Sequence, residues 1–465
     1  KSELEQLKKI CDKIDELLAD YYRFQKMISL QTANRQQVWG AHVRGEQAAL
    51  ALRTYDEKEK LDDQRNRQNA PYFKLKMVMD YWCSLWFWDV REAEYLPDRQ
   101  QYWRDIATIL ELDTNKALEG IVVKRGQQKL FEPATQLSFA MENDGGGNDN
   151  TTVNNGEDVS YPIGGSQAER REGTKFGEGA EGADLFSQAV STAADTTTLF
   201  DDKQRISIIR RMRDTYHFFH PQLEFLEVFW ERGGFDLIAG NPPWVNIEFD
   251  EAAVASEHFP EVYVKNMAAS EVRVLINNYV ENFSFLKYSY TEEHIWASST
   301  KSFVTSNQNY PLLQGQRNNL YKSIITNSFS LLNISGIIGL IHPESIYDDP
   351  KGGELRTEVF YRLIYHFHFV NELQLFSEID HHNDFSINIY CSKKLIPEFI
   401  SIGHLYHPTT IDASFIHDGI ALPDGFKIFN SLTGKPTWNT KPHLGRIINV
   451  DSNFLKIIGK VFENT

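Results

Sequence analysis

The residues best suited to chemistry stand together at positions 241 to 244, where the sequence reads Asn-Pro-Pro-Trp. Asn241 offers a side-chain amide oxygen. The Pro242 carbonyl offers a second acceptor, and Pro243 holds its direction because a proline ring locks φ. Trp244 adds a flat ring face on which a planar group can stack. Two convergent acceptors beside an aromatic face are suited to bind an –NH2 group on an aromatic ring.

This combination of groups predicts a particular reaction. An amine conjugated to a ring is a poor nucleophile, and acceptors that pull on its two hydrogens raise the electron density on nitrogen as it attacks. The chemistry that fits is methyl transfer to the amine from a sulfonium donor. The alternative interpretation is a rigid loop without chemistry, since adjacent prolines also exclude a helix and a central strand.

The composition is that of a globular protein with room for more than one domain. The chain has 465 residues and a net charge of −16, so it is not an obvious partner for nucleic acid. Its cysteines, Cys11, Cys83 and Cys391, show neither metal-ligand nor disulfide spacing. There is no apolar run of transmembrane length and no signal peptide, so we expect a cytoplasmic protein without a membrane contact or a metal site.

Residues 1–139 are predicted to be mainly helical. Apolar side chains recur at helical spacing over 1–30, a charged stretch over 43–66 suggests another helix, and the aromatic-rich segment 72–88 predicts a helix packed into a core. Residues 140–183 are rich in Gly, Asn and acidic side chains and almost free of aliphatic ones. This composition predicts a long mobile loop.

The stretch 203–213 places apolar side chains at helical spacing among five basic residues. The simpler interpretation is a helix with a solvated basic face. The alternative is a patch that contacts phosphate groups.

From residue 235 onward, strand patterns alternate with helix patterns, which predicts a doubly wound α/β sheet. Strands are predicted over 235–240, 334–346, 370–376 and 385–391, and helices over 320–332 and 352–367. We assign 184–400 to a catalytic region and 401–465 to the start of a connection to a further region. Because Asn241 directly follows the first strand, we expect it at the carboxyl edge of the sheet, where ligands bind in such folds.

The Asn-Pro-Pro-Trp segment resembles a known family, the amino-group methyltransferases that use S-adenosylmethionine, chiefly the N6-adenine DNA enzymes. Their motif is Asn-Pro-Pro followed by an aromatic residue. The stretch "FFHPQLEFLEVFWERGGFDLIAGNPPW" resembles the approach to this motif in large methylases of the fused restriction–modification, type IIG-like, class. Further segments are similar to other parts of these proteins, namely 77–88, 318–356, 383–390 and 442–450.

The resemblance implies a Rossmann-like methyltransferase sheet and roles for individual residues. Asn241 and Pro242 would hold the N6 amine of adenine, and Trp244 would stack on the base. Phe385 would cover the other side of the base. Tyr321 lies where the family places a helix near the cofactor.

The family binds S-adenosylmethionine through a glycine-rich turn that precedes the catalytic motif, and the sequence shows no such turn. The stretch "NDGGGND" at 143–149 follows no predicted strand and precedes no predicted helix, so it lacks the required context. The chain starts with Lys1 and not with Met, and we expect the missing turn upstream of that residue, in a longer protein.

The resulting hypothesis is a DNA adenine-N6 methyltransferase of a restriction–modification or phage-defence system. Its partners would be double-stranded DNA, with the target adenine flipped out of the helix, and other subunits of such a system. Two alternatives stay open. The chain could methylate RNA or the glutamine amide of a protein, which also presents an –NH2 group, or it could be a non-catalytic scaffold that binds DNA or partner proteins.

Overall fold

The computed structural model describes residues 2–32, 55–67, 69–112, 203–422, 424–431 and 434–462. The predicted loop over 140–183 and the first part of the predicted helix over 43–66 lie outside these residues. Within them, no helix is both long enough and apolar enough to span a membrane.

The described chain contains α-helices, short 3-10 helices and strands. The α-helices are α1 (Ser2–Thr32), α2 (Tyr55–Arg65), α3 (Pro71–Trp86), α4 (Arg99–Ile109), α5 (Lys203–Tyr216), α6 (Pro221–Glu224), α7 (Leu226–Arg232), α8 (Glu251–His258), α9 (Glu261–Val264), α10 (Ala269–Asn282), α11 (Ser284–Thr305), α12 (Leu320–Leu331), α13 (Ser345–Asp348), α14 (Gly353–Arg362), α15 (Thr409–Phe415) and α16 (Ser452–Phe462). The 3-10 helices are Val90–Tyr95, Pro311–Leu313, Asn371–Leu373 and Leu444–Arg446. The strands are β1 (Phe235–Gly240), β2 (Leu332–Pro343), β3 (Leu363–Val370), β4 (Asp384–Cys391), β5 (Phe399–Leu405), β6 (Lys427–Asn430), β7 (Lys435–Trp438) and β8 (Ile447–Val450).

Helices α1, α3, α4 and α5 pack around one hydrophobic core. Its most deeply buried side chains include Tyr21, Tyr81, Ile106 and Ile209, one from each of these helices. Apolar residues at helical spacing turn one stripe of each helix inward, which is why the sequence pattern predicts these helices. Complete burial of each isoleucine stabilises the fold by about 1.5–3 kcal/mol.

Helix α5 contains the predicted basic helix over 203–213, and its apolar face is part of this core. Three of its four arginines form ion pairs within the chain: Arg205 with Asp105, Arg211 with Glu92 and Arg213 with Asp214. Because these guanidinium groups already have acidic partners, the structure favours the simpler interpretation of the helix over a phosphate-contacting patch.

Asp105 is the ionic centre of the helical core. Its Oδ2 accepts hydrogen bonds from the Tyr81 hydroxyl at 2.6 Å and from Arg205 Nη1 at 3.0 Å, and its Oδ1 accepts one from Gln101 Nε2 at 2.8 Å. Asp105 and Arg205 are both buried. This group therefore joins α3, α4 and α5 through charge-assisted hydrogen bonds that are shielded from water.

Six strands form one mixed sheet in the order β1-β2-β4-β3-β5-β8. Strands β1 and β2 run parallel, as do β3 and β5, whereas β4 lies antiparallel between β2 and β3, and β8 lies antiparallel beside β5. The predicted α/β class is confirmed. The segment 401–465 contributes to this same sheet, because it contains most of β5 and all of β8. Strands β6 and β7 pair separately as a hairpin.

Two of the predicted elements are wrong in the middle of the sheet. The predicted helix over 352–367 ends at Arg362, and the rest of that stretch belongs to β3. The predicted strand over 370–376 is a 3-10 turn followed by a loop, since β3 ends at Val370. The residues of β3 are rich in aromatic and β-branched side chains, which fit a strand with neighbours on both edges better than a helix.

Strand β1 lies at the edge of the sheet and pairs with β2. Its side chains are half-buried or exposed, and Leu237 is 67% exposed. Strand β2, in contrast, is packed between two neighbours and carries buried core residues, including Ile338 and Leu340. The chain therefore leaves β1 at an open side of the sheet, and the Asn-Pro-Pro-Trp segment begins there.

Candidate functional site

Asn241 lies immediately beyond the carboxyl end of β1. Gly240, the last residue of that strand, pairs with Leu340 of β2, so the sheet fixes the point at which the chain turns away. The side chain of Asn241 is exposed and has no hydrogen-bond partner among the described residues. Pro242 is buried and anchors the turn. The Asn241 amide is thus held on a rigid backbone with its oxygen and nitrogen available to a ligand.

Trp244 is fixed by contacts on several sides. Its indole Nε1 donates a hydrogen bond to the Ile341 carbonyl at 3.3 Å. Its ring lies 5.4 Å from Phe376 and 6.0 Å from Phe385, measured between centroids, and it is half-buried. Since a ring with two χ angles and a satisfied N–H has little freedom left, these contacts hold Trp244 in one defined orientation.

The corner forms one wall of an open cavity of about 400 Å³. The rest of the wall comes from the loop between β3 and β4. The lining residues are Asn241, Pro242, Pro243, Trp244, Leu375, Phe376, Ser377, Glu378 and Ile379. The volume is within the range of small-molecule sites, about 300–1,000 Å³. Amide, aromatic and apolar groups line this space, which is suited to a planar ring that carries polar groups on its edge.

The loop between β3 and β4 is held in place by Asn371, which is fully buried. Its side-chain Nδ2 donates to the Phe376 carbonyl at 2.8 Å, and its Oδ1 accepts from the Phe376 N–H at 3.1 Å. A buried amide that bonds the backbone in both directions fixes the residue opposite it. Asn371 therefore determines where the Phe376 ring lies in the cavity wall.

Phe376 is a site residue that sequence reasoning missed. It lies in the stretch interpreted as a strand, and its ring packs against both Trp244 and Phe385. The sequence signal was an aromatic residue at the end of an apolar run, next to a polar segment. Only the pairing of β3 with β4 brings that loop to the end of β1. The sequence alone therefore could not show that Phe376 lies beside Trp244.

Phe385 and Tyr321 lie away from the open cavity. Phe385 is the second residue of β4, is 3% exposed, and stacks on Phe369 with centroids 5.2 Å apart. Tyr321 is fully buried in α12, and its hydroxyl bonds the Ser345 hydroxyl at 2.8 Å. Phe385 packs against the Trp244 ring from within the core, and Tyr321 packs in the core beside the sheet. Of the residues that the sequence analysis singled out, Asn241 to Trp244 line the cavity together.

Glu344, just beyond the carboxyl end of β2, forms a half-buried acid–base pair with His366 of β3. Glu344 Oε1 lies 3.1 Å from His366 Nε2, and both side chains are largely shielded from water. Burial alone would raise the pKa of Glu344, but the hydrogen bond and charge of His366 outweigh it, so that this pKa is below its ordinary value. Glu344 is therefore an ionised hydrogen-bond acceptor near neutral pH and not a proton donor.

His342, the penultimate residue of β2, is held neutral. Its Nδ1 lies 2.9 Å from the Pro343 carbonyl, which can only accept, so Nδ1 carries the proton. Its Nε2 then accepts from the Tyr390 hydroxyl at 2.7 Å. Complete burial lowers the pKa of His342 from 6.5 to about 4.

We expect the stability of the sheet to fall in acid because of His342. Above pH 6.5 the imidazole is neutral in both the folded and the unfolded chain. As the pH falls from 6.5 to about 4, only the unfolded chain takes up the proton, and the free energy of unfolding decreases by up to about 3 kcal/mol. Urea unfolding at several pH values would measure this slope, and His342→Gln should make it shallower. An equal slope in the variant would show that other groups cause the acid sensitivity.

Comparison with known proteins adds no assignment to this geometry: no protein-family model matches the chain, and a search of curated proteins finds no match.

Proposed function

We propose that the Asn241–Trp244 corner is the target-amine site of a methyltransferase that uses S-adenosylmethionine and acts on the N6 amine of adenine in DNA. The observation that supports this most strongly is the Asn241 amide. It is exposed and without a partner within the described chain, and it stands at the carboxyl end of a sheet strand beside an aromatic-lined cavity. An asparagine with a structural role would be expected to form hydrogen bonds with neighbouring backbone groups, as Asn371 does.

The chemical role of the corner follows from its acceptors. The Asn241 Oδ1 and the Pro242 carbonyl would each accept one hydrogen of the amine, and this would draw electron density toward N6 as it attacks the methyl group. Acceptors that are already in place need no reorganisation during the reaction, which is where such sites gain most of their effect. Pro243 supports this role because it limits the rotation of the Pro242 carbonyl.

The aromatic part of the cavity favours a nucleobase over an amide side chain. Trp244 and Phe376 both line the space, and Phe385 backs the Trp244 ring. A base gains about 1–3 kcal/mol by stacking on such a side chain, whereas a glutamine amide has no ring to stack. An adenine in duplex DNA would have to leave the helix to reach this cavity, at a cost of a few kcal/mol.

The described residues lack the glycine-rich turn through which the resembled family binds the methyl donor. S-adenosylmethionine supplies an electrophilic methyl group, and its binding requires a cradle of polar groups. Among the described strands, no glycine-rich turn leads from a strand into a helix. Tyr321, the residue that the resemblance placed near the cofactor, is buried in the core. We therefore propose that the residues of the Asn241–Trp244 corner capture and activate the amine. We assign the binding of the donor to none of the described residues.

A methyl-transfer assay tests the proposal. The full-length protein would be incubated with S-adenosylmethionine labelled in its methyl group and, separately, with DNA, RNA and protein. We expect label in DNA, and digestion to nucleosides should recover it as N6-methyladenosine in its deoxy form. Label in RNA or on glutamine would show that the site accepts a different amine as its substrate. Absence of label in all three, with duplex DNA still bound, would favour a non-catalytic scaffold.

Placement of the protein in a restriction–modification or phage-defence system is part of the same proposal and rests on the resemblance of the segment around Asn241. The net charge of −16 belongs to the whole chain, and contacts to DNA phosphate depend on where basic groups are concentrated and not on the total. Binding to duplex DNA at several salt concentrations would show whether such contacts form.

A further inference from the structure

A second group of functional side chains lies at the neck of the loop between β3 and β4. The pairing of these strands ends with Val370 opposite Asp384, and the Asn371 N–H extends it by one bond to the Asn383 carbonyl at 3.2 Å. One step further along this register, Glu372 lies opposite His382. The fold thus brings together an acid and an imidazole that are separated in sequence by the whole loop.

These two residues and His381 form a compact set of ligand atoms. Glu372 Oε1 and His382 Nδ1 are 3.3 Å apart. One ligand atom from each of Glu372, His381 and His382 lies within 4.8 Å of the other two, and the described residues contain no other such group of three. Imidazole nitrogens and carboxylate oxygens bind zinc at about 2.0–2.2 Å, so ligands of one ion lie roughly 3–4 Å apart. A movement of about 1 Å by the histidine rings is enough to close the set.

Exposure favours an ion that enters from solvent. The Glu372 side chain is only 14% exposed, whereas those of His381 and His382 are 46% and 70% exposed. The carboxylate is therefore fixed by its surroundings, and the two rings can rotate onto an incoming ion. Asp380 stabilises the backbone that carries the two histidines, because its Oδ1 accepts a hydrogen bond from the His382 N–H at 2.8 Å.

We propose that Glu372, His381 and His382 bind a divalent first-row transition-metal ion of the zinc class. Two imidazoles and one carboxylate are a common ligand set for zinc and leave further positions for water. Imidazole is a poor ligand for magnesium and calcium, which prefer oxygen. Because the set spans the neck of the loop, the bound ion would link its two ends and restrict the tip that carries Phe376 in the cavity wall. This inference does not depend on the methyl-transfer proposal.

The test is zinc binding by the full-length protein, first treated with a chelator and then titrated with Zn²⁺ and with Mg²⁺ in separate calorimetric experiments. We expect one site with micromolar affinity for Zn²⁺ and no comparable heat with Mg²⁺. The variants Glu372→Gln, His381→Ala and His382→Ala should each weaken zinc binding by about tenfold or more, equivalent to at least about 1.4 kcal/mol.

A matched control is available at another pair of neighbouring histidines. The rings of His417 and His443 are 4.7 Å apart, but this pair belongs to no three-ligand group among the described residues. His417→Ala should therefore leave zinc binding unchanged. The proposal would be overturned if wild-type protein fails to bind Zn²⁺, if the three variants bind as tightly as wild type, or if the control weakens binding equally.

The effect on the loop needs its own measurement. Hydrogen exchange of the amides over 371–383 should slow when Zn²⁺ is added to wild-type protein, because the neck can then open only if the ion leaves. Glu372→Gln should abolish that change. Zinc binding at Glu372 without any slowing of exchange would refute the role of the ion in restricting the loop.

Discussion

Replacement of Asn241 by alanine in the full-length protein lowers the rate of methyl transfer to DNA by about 10²–10³, according to the proposed role of its amide. The loss corresponds to about 2.7–4 kcal/mol of transition-state stabilisation, because one of two pre-organised acceptors for the amine is removed. Single-turnover kinetics with S-adenosylmethionine and duplex DNA would measure it. The affinity for DNA should change little, since the interaction strengthens as the amine attacks.

The fold should tolerate this change, because the Asn241 side chain is exposed and makes no hydrogen bond to the described chain. Asn277→Ala is a matched control, since Asn277 is also exposed but lies on α10, outside the lining of the cavity. The control should methylate at the wild-type rate. A wild-type rate in Asn241→Ala itself would mean that Asn241 does not hold the amine.

Asp105→Ala should destabilise the helical core by about 3–5 kcal/mol. The change removes the buried carboxylate that accepts hydrogen bonds from both the Arg205 guanidinium and the Tyr81 hydroxyl. Urea unfolding, followed through a signal from the helical region, would give the change in the free energy of unfolding. Most of the effect is the cost of removing an acceptor from buried donors and not the strength of the ion pair itself.

The exposed ion pair between Arg213 and Asp214 provides the comparison. The Asp214 side chain is 65% exposed, so Asp214→Ala should change stability by no more than about 1 kcal/mol. If Asp105→Ala were as mild, the buried hydrogen bonds of Asp105 would contribute no more to the stability of the helical core than an exposed ion pair does.

The sequence predicted the features that depend on neighbouring residues. Helices α1, α3 and α12 follow from apolar spacing. The end of β1 follows from the two prolines just beyond it, because proline restricts the backbone without reference to the rest of the fold. The position of Asn241 beyond that strand is of the same kind. These features are encoded within a few turns of chain, so no knowledge of tertiary structure was needed.

Features that depend on strand pairing could not be predicted in this way. The direction of β4 and the boundary between α14 and β3 are determined by neighbours that are distant in sequence. The same holds for Phe376, which reaches Trp244 only because β3 and β4 pair, and for Glu372 and His382, which meet through the register of that pair. Adjacent histidines such as His381 and His382 carry no metal-binding spacing by themselves, and this is why the sequence indicated no metal site.

The position of β4 also has a consequence for the order in which the protein can fold during synthesis. Strand β4 lies between β2 and β3 but is made after both. A nascent chain that ends before Asp384 therefore contains β2 and β3 with the place between them unfilled, and each has a free edge available to other chains. The gap can close once the chain up to Cys391 has been made and has emerged from the ribosome. A pause in translation over that interval would therefore favour aggregation more than a later pause over β6 and β7, because β6 and β7 pair only with each other.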